Sequence, residues 1–108
     1  MPQRELRYEE RGDVMMPGKL RHNVTCRTET DVIDLSTRGC RISVREKGIT
    51  VGSTVFIRLD NLAPLRATVR WHAAGFAGVE FDWPLYLPVH DHLLNAWRFT
   101  VAAKLAPI

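Results

Sequence analysis

Residues 40 to 45 read Cys-Arg-Ile-Ser-Val-Arg, a strict alternation that puts Cys40, Ile42 and Val44 on one face and Arg41, Ser43 and Arg45 on the other. A side-chain period of two belongs to a strand buried on one side only. The same period recurs at Thr54 to Leu59, with Val55, Ile57 and Leu59 inward and Arg58 outward. Further short segments rich in β-branched and aromatic residues read as strands: Met15 to His22, Thr28 to Leu35, Leu65 to Trp71 and Phe76 to Phe81. Pro17 and Gly18 weaken the start of the first, and Ala73-Ala74-Gly75 makes a hairpin of the last two. With no helix between them, these strands build an antiparallel sheet that must curl or close to hide its edges.

The end of the chain changes period. From Pro88, which suits a first helical turn because its missing N–H costs nothing there, apolar residues fall at Val89, Leu93, Leu94, Trp97, Val101 and Leu105. The expected architecture is all-β with a terminal helix, a small antiparallel six-stranded β-barrel closed by a C-terminal α-helix. At 108 residues it forms one domain over 14–108, preceded by a charged flexible arm over 1–13. No apolar run approaches the roughly 18–20 residues of a membrane span. MPQRELRYEERGD lacks the apolar core of a secretory signal, so a cytoplasmic location is expected. Cys26 and Cys40 lack metal-type spacing and are expected to be reduced thiols.

Catalytic constellations are weak. His90 and His92 are two apart, so on a helix they point to different sides, and His22 and His72 lie on unrelated strands. No four-ligand metal set is offered. Ser36 has no GxSxG context, Glu9 and Glu10 sit in the arm, and neither glycine-rich phosphate loop occurs. Neither an enzyme nor a resident cofactor or metal is expected.

Two short patterns remain. Arg7-Tyr8-Glu9-Glu10-Arg11 is an RxxxR in the arm, and Asp34-Leu35-Ser36-Thr37-Arg38-Gly39 is a DxSxxG at the end of the second strand. RxxxR alone is uninformative, since Arg41 with Arg45 and Arg66 with Arg70 repeat it. DxSxxG is the rarer pattern, and order adds weight: the arm precedes the first strand, DxSxxG ends the second, and GCRI opens the third. Together they resemble the signature of the PilZ family, bacterial receptors for cyclic di-GMP. The resemblance continues through Val51-Gly52, Ala67 to Trp71 and Gly78-Val79-Glu80-Phe81 to the helix, with Asn23 to Glu29 the least typical stretch.

The resemblance implies a ligand-binding set of Arg7, Arg11, Asp34, Ser36 and Gly39, with Arg38 as an added phosphate contact. The chemistry suits a guanine dinucleotide. A guanidinium donates two parallel hydrogen bonds to guanine O6 and N7 or to phosphate, and stacks on a purine. A carboxylate at Asp34 accepts guanine N–H groups, which a phosphate-only site would not need. Asp34 and Ser36 are two apart, so in an extended segment both project from the same face; Gly39 permits positive φ and close backbone approach at the turn. Ligand binding would order the arm and pass the signal to an effector protein.

Two alternatives stand beside this. One is a non-binding PilZ-like adaptor acting through protein contacts, with Trp83 and Tyr86 available for docking, although core packing is expected for at least one of them. The other is a general nucleic-acid-binding barrel. A net charge of only +3, with arginines interspersed among acids, argues against a nucleic-acid polymer as partner.

Overall fold

The computed structural model describes residues 12–22, 27–44 and 49–98. Six strands, β1 (Gly12–Arg21), β2 (Arg27–Leu35), β3 (Gly39–Ser43), β4 (Thr54–Leu59), β5 (Leu65–Ala73) and β6 (Phe76–Phe81), close into a barrel in the order β1-β2-β3-β6-β5-β4. Every pairing is antiparallel. Closure leaves no free sheet edge and turns one residue in two into the interior. That interior holds Val14, Met16 and Leu20 of β1, Val32 and Leu35 of β2, and Val55, Ile57 and Leu59 of β4, all essentially inaccessible to solvent. Each such side chain contributes about 1.5–3 kcal/mol by leaving water.

Alternation predicts the inward set of β3 and β4 correctly: Cys40, Ile42, Val44, Val55, Ile57 and Leu59 are all buried. Cys40 is buried in the barrel core. Cys26, Arg45 and the expected turn at Lys47-Gly48 lie outside the described residues, as do Arg7, Arg11 and the rest of the arm before Gly12.

β1 and β5 each run two or more residues past the expected strand at one end, β3 stops at Ser43 instead of Arg45, and the other strand ends agree to within a residue. β1 starts at Gly12 and takes in Gly12 and Asp13, which that reading assigned to the arm. It also runs through Pro17. The ladder with β4 begins only at Gly18 opposite Leu59, and beyond it the Pro17 carbonyl accepts from the Asp60 N–H at 3.0 Å. The missing proline N–H therefore falls where β4 has already ended, and Asp60 turns the chain away with φ 53. β5 runs on to Ala73, which pairs with Phe76. The hairpin turn is thus Ala74-Gly75 alone, with φ 55 and 83, the positive pair of a type I′ turn.

Helix α1 (Leu87–Trp97) has Pro88 in its first turn. Leu93 joins the barrel core, flanked by the partly buried Val89, Leu94 and Trp97, and Trp97 Nε1 donates to Asp60 Oδ2 at 3.3 Å. The apolar stripe does not continue as one helix. Arg98 is extended (φ −58, ψ 133) and forms a backbone bridge to Val14, so pairing with β1 ends the helix; Val101 and Leu105 lie outside the described residues. Trp83 and Tyr86, in the connection from β6 to α1, are 81% and 74% exposed, so neither packs in the core. No helix among the described residues is long and apolar enough to cross a membrane.

Candidate functional site

Simple alternation along β2 puts Thr30, Val32 and Asp34 on the inner face, yet an aspartate does not belong in an apolar barrel. The register resolves this. Val32 pairs with Ile42 and Asp34 with Arg41, so Ile33 is an extra residue and β2 is bulged there. Parity flips beyond the bulge: Leu35 takes the core position, and Asp34 lies beside the outward-facing Arg41. The Asp34 carboxylate is 5% exposed and stands 3.6 Å from the Arg41 guanidinium, itself 44% exposed.

The same device recurs across the barrel wall. On β5, Ala67 and Val69 face inward, and alternation would bury Trp71 next. The register moves from Val69 opposite Val79 to Trp71 opposite Gly78, so Arg70 is the extra residue and the indole turns outward. It lies across Gly78, where any Cβ would collide with the indole ring. The glycine is thus the floor on which a 42% exposed tryptophan rests.

Cross-strand pairing joins these positions into one line. Asp13 on β1 pairs with Asp34 on β2, Asp34 with Arg41 on β3, Arg41 with Gly78 on β6, and Gly78 with Trp71 on β5. The outer wall thus carries two carboxylates, a guanidinium and an exposed indole in adjacent positions across five strands.

The turn after β2 supports this line. β2 stops at Leu35, so Ser36 is not in extended chain and does not share a strand face with Asp34. Its hydroxyl instead accepts from the N–H groups of Arg38 at 3.1 Å and Gly39 at 3.2 Å, while the Ser36 N–H donates to the Gly39 carbonyl at 2.9 Å. A serine-closed turn of this kind fixes the path of the loop. The backbone of Arg38 receives the Phe81 N–H at 2.8 Å and that of Thr37 receives the Leu85 N–H at 2.7 Å, while the Arg38 side chain is exposed. Gly39 has no positive φ; it is glycine because a Cβ there would overlap the Val79 carbonyl oxygen of β6.

The PilZ domain model matches residues 5–96, nearly the whole chain. The chain belongs to the PilZ family. No individually curated protein matches the sequence. The barrel with its following helix agrees with that assignment. This PilZ chain carries RxxxR immediately before β1, and Gly12 at the start of that strand pairs with Leu35, the residue after Asp34. The strand that follows Arg11 thus opens against the DxSxxG segment.

Of the expected site residues, Asp34, Ser36, Arg38 and Gly39 gather at the β2–β3 turn, while Arg7 and Arg11 lie outside the described residues. Asp13, Arg41 and Trp71 were not singled out from sequence. For Trp71 a signal existed: counting outward from a two-residue turn at Ala74-Gly75 pairs it with Gly78, an aromatic facing a glycine across a hairpin. Among the described residues no group of three or more His, Cys, Asp or Glu could hold a metal ion.

Proposed function

We propose that this PilZ chain is a cytoplasmic receptor for cyclic di-GMP, acting by binding and passing the signal to an effector protein. The observation that carries the reading is the outward line Asp13, Asp34, Arg41, Gly78 and Trp71, beginning where the chain leaves the RxxxR segment. A planar base stacks on the exposed Trp71 indole, with about 1–3 kcal/mol gained per base. The Asp34 carboxylate accepts guanine N–H donors, and Arg41 holds it in place. Guanine presents its N1–H and N2–H₂ donors side by side to a carboxylate, whereas adenine offers no such adjacent pair, so an acid at Asp34 favours guanine.

Arg7 and Arg11 supply the forked donors for phosphate or for guanine O6 and N7. Ser36 and Gly39 hold the turn against β6, and the exposed Arg38 offers a further phosphate contact. Binding draws the RxxxR segment over the barrel wall, and the effector reads the wall so covered. The chain does this without catalysis, and a nucleic-acid polymer is not its ligand.

Isothermal titration with cyclic di-GMP tests the proposal, with GMP and cyclic di-AMP as controls. Saturable binding selective for the guanine dinucleotide is expected. Arg11→Ala should lose charge-assisted bonds of about 1.5–3 kcal/mol, a ten- to hundred-fold loss of affinity with the melting temperature unchanged. No binding to a folded sample would overturn the receptor reading.

A further inference from the structure

The wall made by β1 and β4 pairs without a bulge, and its outward positions form a square tile. Lys19 stands directly opposite Arg58, and Arg21 directly opposite Phe56. Opposed residues in an antiparallel pair have Cβ atoms roughly 4.5–5.5 Å apart, where like charges destabilise the sheet. Elsewhere on the barrel the outward arginines meet acids: Arg41 with Asp34 at 3.6 Å, Arg66 with Asp82 at 2.9 Å and Arg70 with Glu80 at 2.6 Å. Lys19 and Arg58 have no ion-pair partner among the described residues. Arg21 is held with its guanidinium 4.8 Å from the centre of the Phe56 ring.

These side chains line a surface concavity of about 500 Å³ together with Leu20, Thr28, Glu29 and Pro64. That volume lies within the range of roughly 300–1,000 Å³ usual for small-molecule sites. The concavity is not part of the Asp34–Trp71 line. Thr28 and Asp34 are six residues apart on β2, about 20 Å along the strand.

We propose that this tile is a second ligand site, taking a nucleotide: a phosphate-bearing anion with a planar ring. The phosphate sits between Lys19 and Arg58 and relieves their mutual repulsion. The ring stacks on the outer side of the Arg21 guanidinium, whose inner side rests on Phe56, so the cation lies between two π-faces. Glu29, opposite Lys19 on β2 and also lining the concavity, offers an acceptor to a ribose hydroxyl and opposes a long polyanion there. The proposal stands apart from cyclic di-GMP binding, because it uses different residues on a different wall.

Amide-resolved NMR titration of the full chain with 5′-GMP tests it, with guanosine as the phosphate-free comparator. GMP is expected to shift the amide signals of residues 19–21, 28 and 56–58, and guanosine to leave them in place. Arg58→Glu, and separately the milder Lys19→Gln, should weaken binding, the former by about tenfold or more. Asp34→Ala should leave GMP binding at this wall unchanged, which separates failure here from failure of the receptor reading. The same spectra report whether each variant is folded. Absence of shifts at millimolar GMP, equal binding by folded Arg58→Glu, or shifts confined to the Asp34–Trp71 wall would each overturn the proposal. So would much tighter capture of a single-stranded RNA oligonucleotide at the same amides, which would make the tile a polymer surface.

Discussion

Two walls of one barrel obey different rules. Along β1 and β4 the ladder between Gly18–Arg21 and Phe56–Leu59 is regular, and every side chain goes where alternation sends it. Along β2–β3 and β5–β6 each ladder slips once, at Ile33 and at Arg70, as β1–β2 does between Asp13 and Met16, and the first two slips each take one residue out of the apolar core: Asp34, which stays buried, and Trp71, which is exposed. Extra residues of this kind cost ladder pairing and are found where a side chain must be re-aimed. The regular wall displays charge that alternation alone would expose, whereas the bulged walls set outside the apolar core an acid and an aromatic that alternation would have placed in it. The difference shows that the line from Asp13 to Trp71 is made by register, which composition does not determine.

The largest expected effect comes from the point where the bulged walls meet most closely. Gly39→Ala forces β3 away from the Val79 carbonyl, and we expect a loss of about 3 kcal/mol by denaturant unfolding, at the upper end of overpacking costs. Gly52→Ala is the control, since its Cβ meets nothing within 4 Å and only its φ of 90 is strained. Equal losses at the two glycines would mean that the β3–β6 approach is not the constraint. Next, Trp71→Ala should weaken cyclic di-GMP binding by about 1–3 kcal/mol in titration calorimetry while changing stability much less, because the indole is half exposed. Unchanged affinity would remove Trp71 from the binding line.

Smaller changes sharpen the other side of the comparison. Ala74→Asn relieves a non-glycine residue held at φ 55 and gives the hairpin an Asn-Gly turn; a gain of about 0.5–1 kcal/mol is expected in thermal or urea unfolding. Finally, Arg58→Glu replaces a like-charged cross-strand pair with an opposite one. It should raise stability by about 0.5 kcal/mol, an effect that added salt diminishes. A variant that gains stability while losing GMP would show that the regular wall holds its charges for a ligand at the expense of the fold. A destabilised one would show that Lys19 and Arg58 are not in repulsion.

Much of this barrel was legible in the sequence because a barrel interior is a strong filter. Val55, Ile57 and Leu59, or Cys40, Ile42 and Val44, can satisfy alternation only by facing one core. The strand ends were less legible. The sequence around Pro17 reads as an interruption until the end of β4 beside it shows that no N–H was needed there. The helical stripe from Val89 to Leu105 is blind to the competing bridge between Arg98 and Val14. At the candidate site the DxSxxG pattern falls on the turn between β2 and β3, and the local geometry of its residues differs from what the pattern suggested. Ser36 spends its hydroxyl on the loop, Gly39 answers to β6 instead of to φ, and Asp34 faces outward only because Ile33 is surplus. The place of Trp71 beside Gly78 was missed because a bulge leaves no mark in a single strand; Arg41 already read as outward, but its pairing with Asp34, like that of Asp13, appears only when two strands are counted against each other.

The bridge between Val14 and Arg98 has a mechanical consequence. It brings the beginning of β1 and the residue after α1 to the same spot, so tension that pulls Arg98 from β1 meets what is, among the described residues, an isolated bridge instead of a ladder. Such a contact peels under load one bond at a time, whereas strands paired on both sides resist together. The helix, anchored by Leu93 and by the Trp97–Asp60 hydrogen bond, is therefore the fuse of the molecule. Under force it should detach first and leave the closed barrel standing.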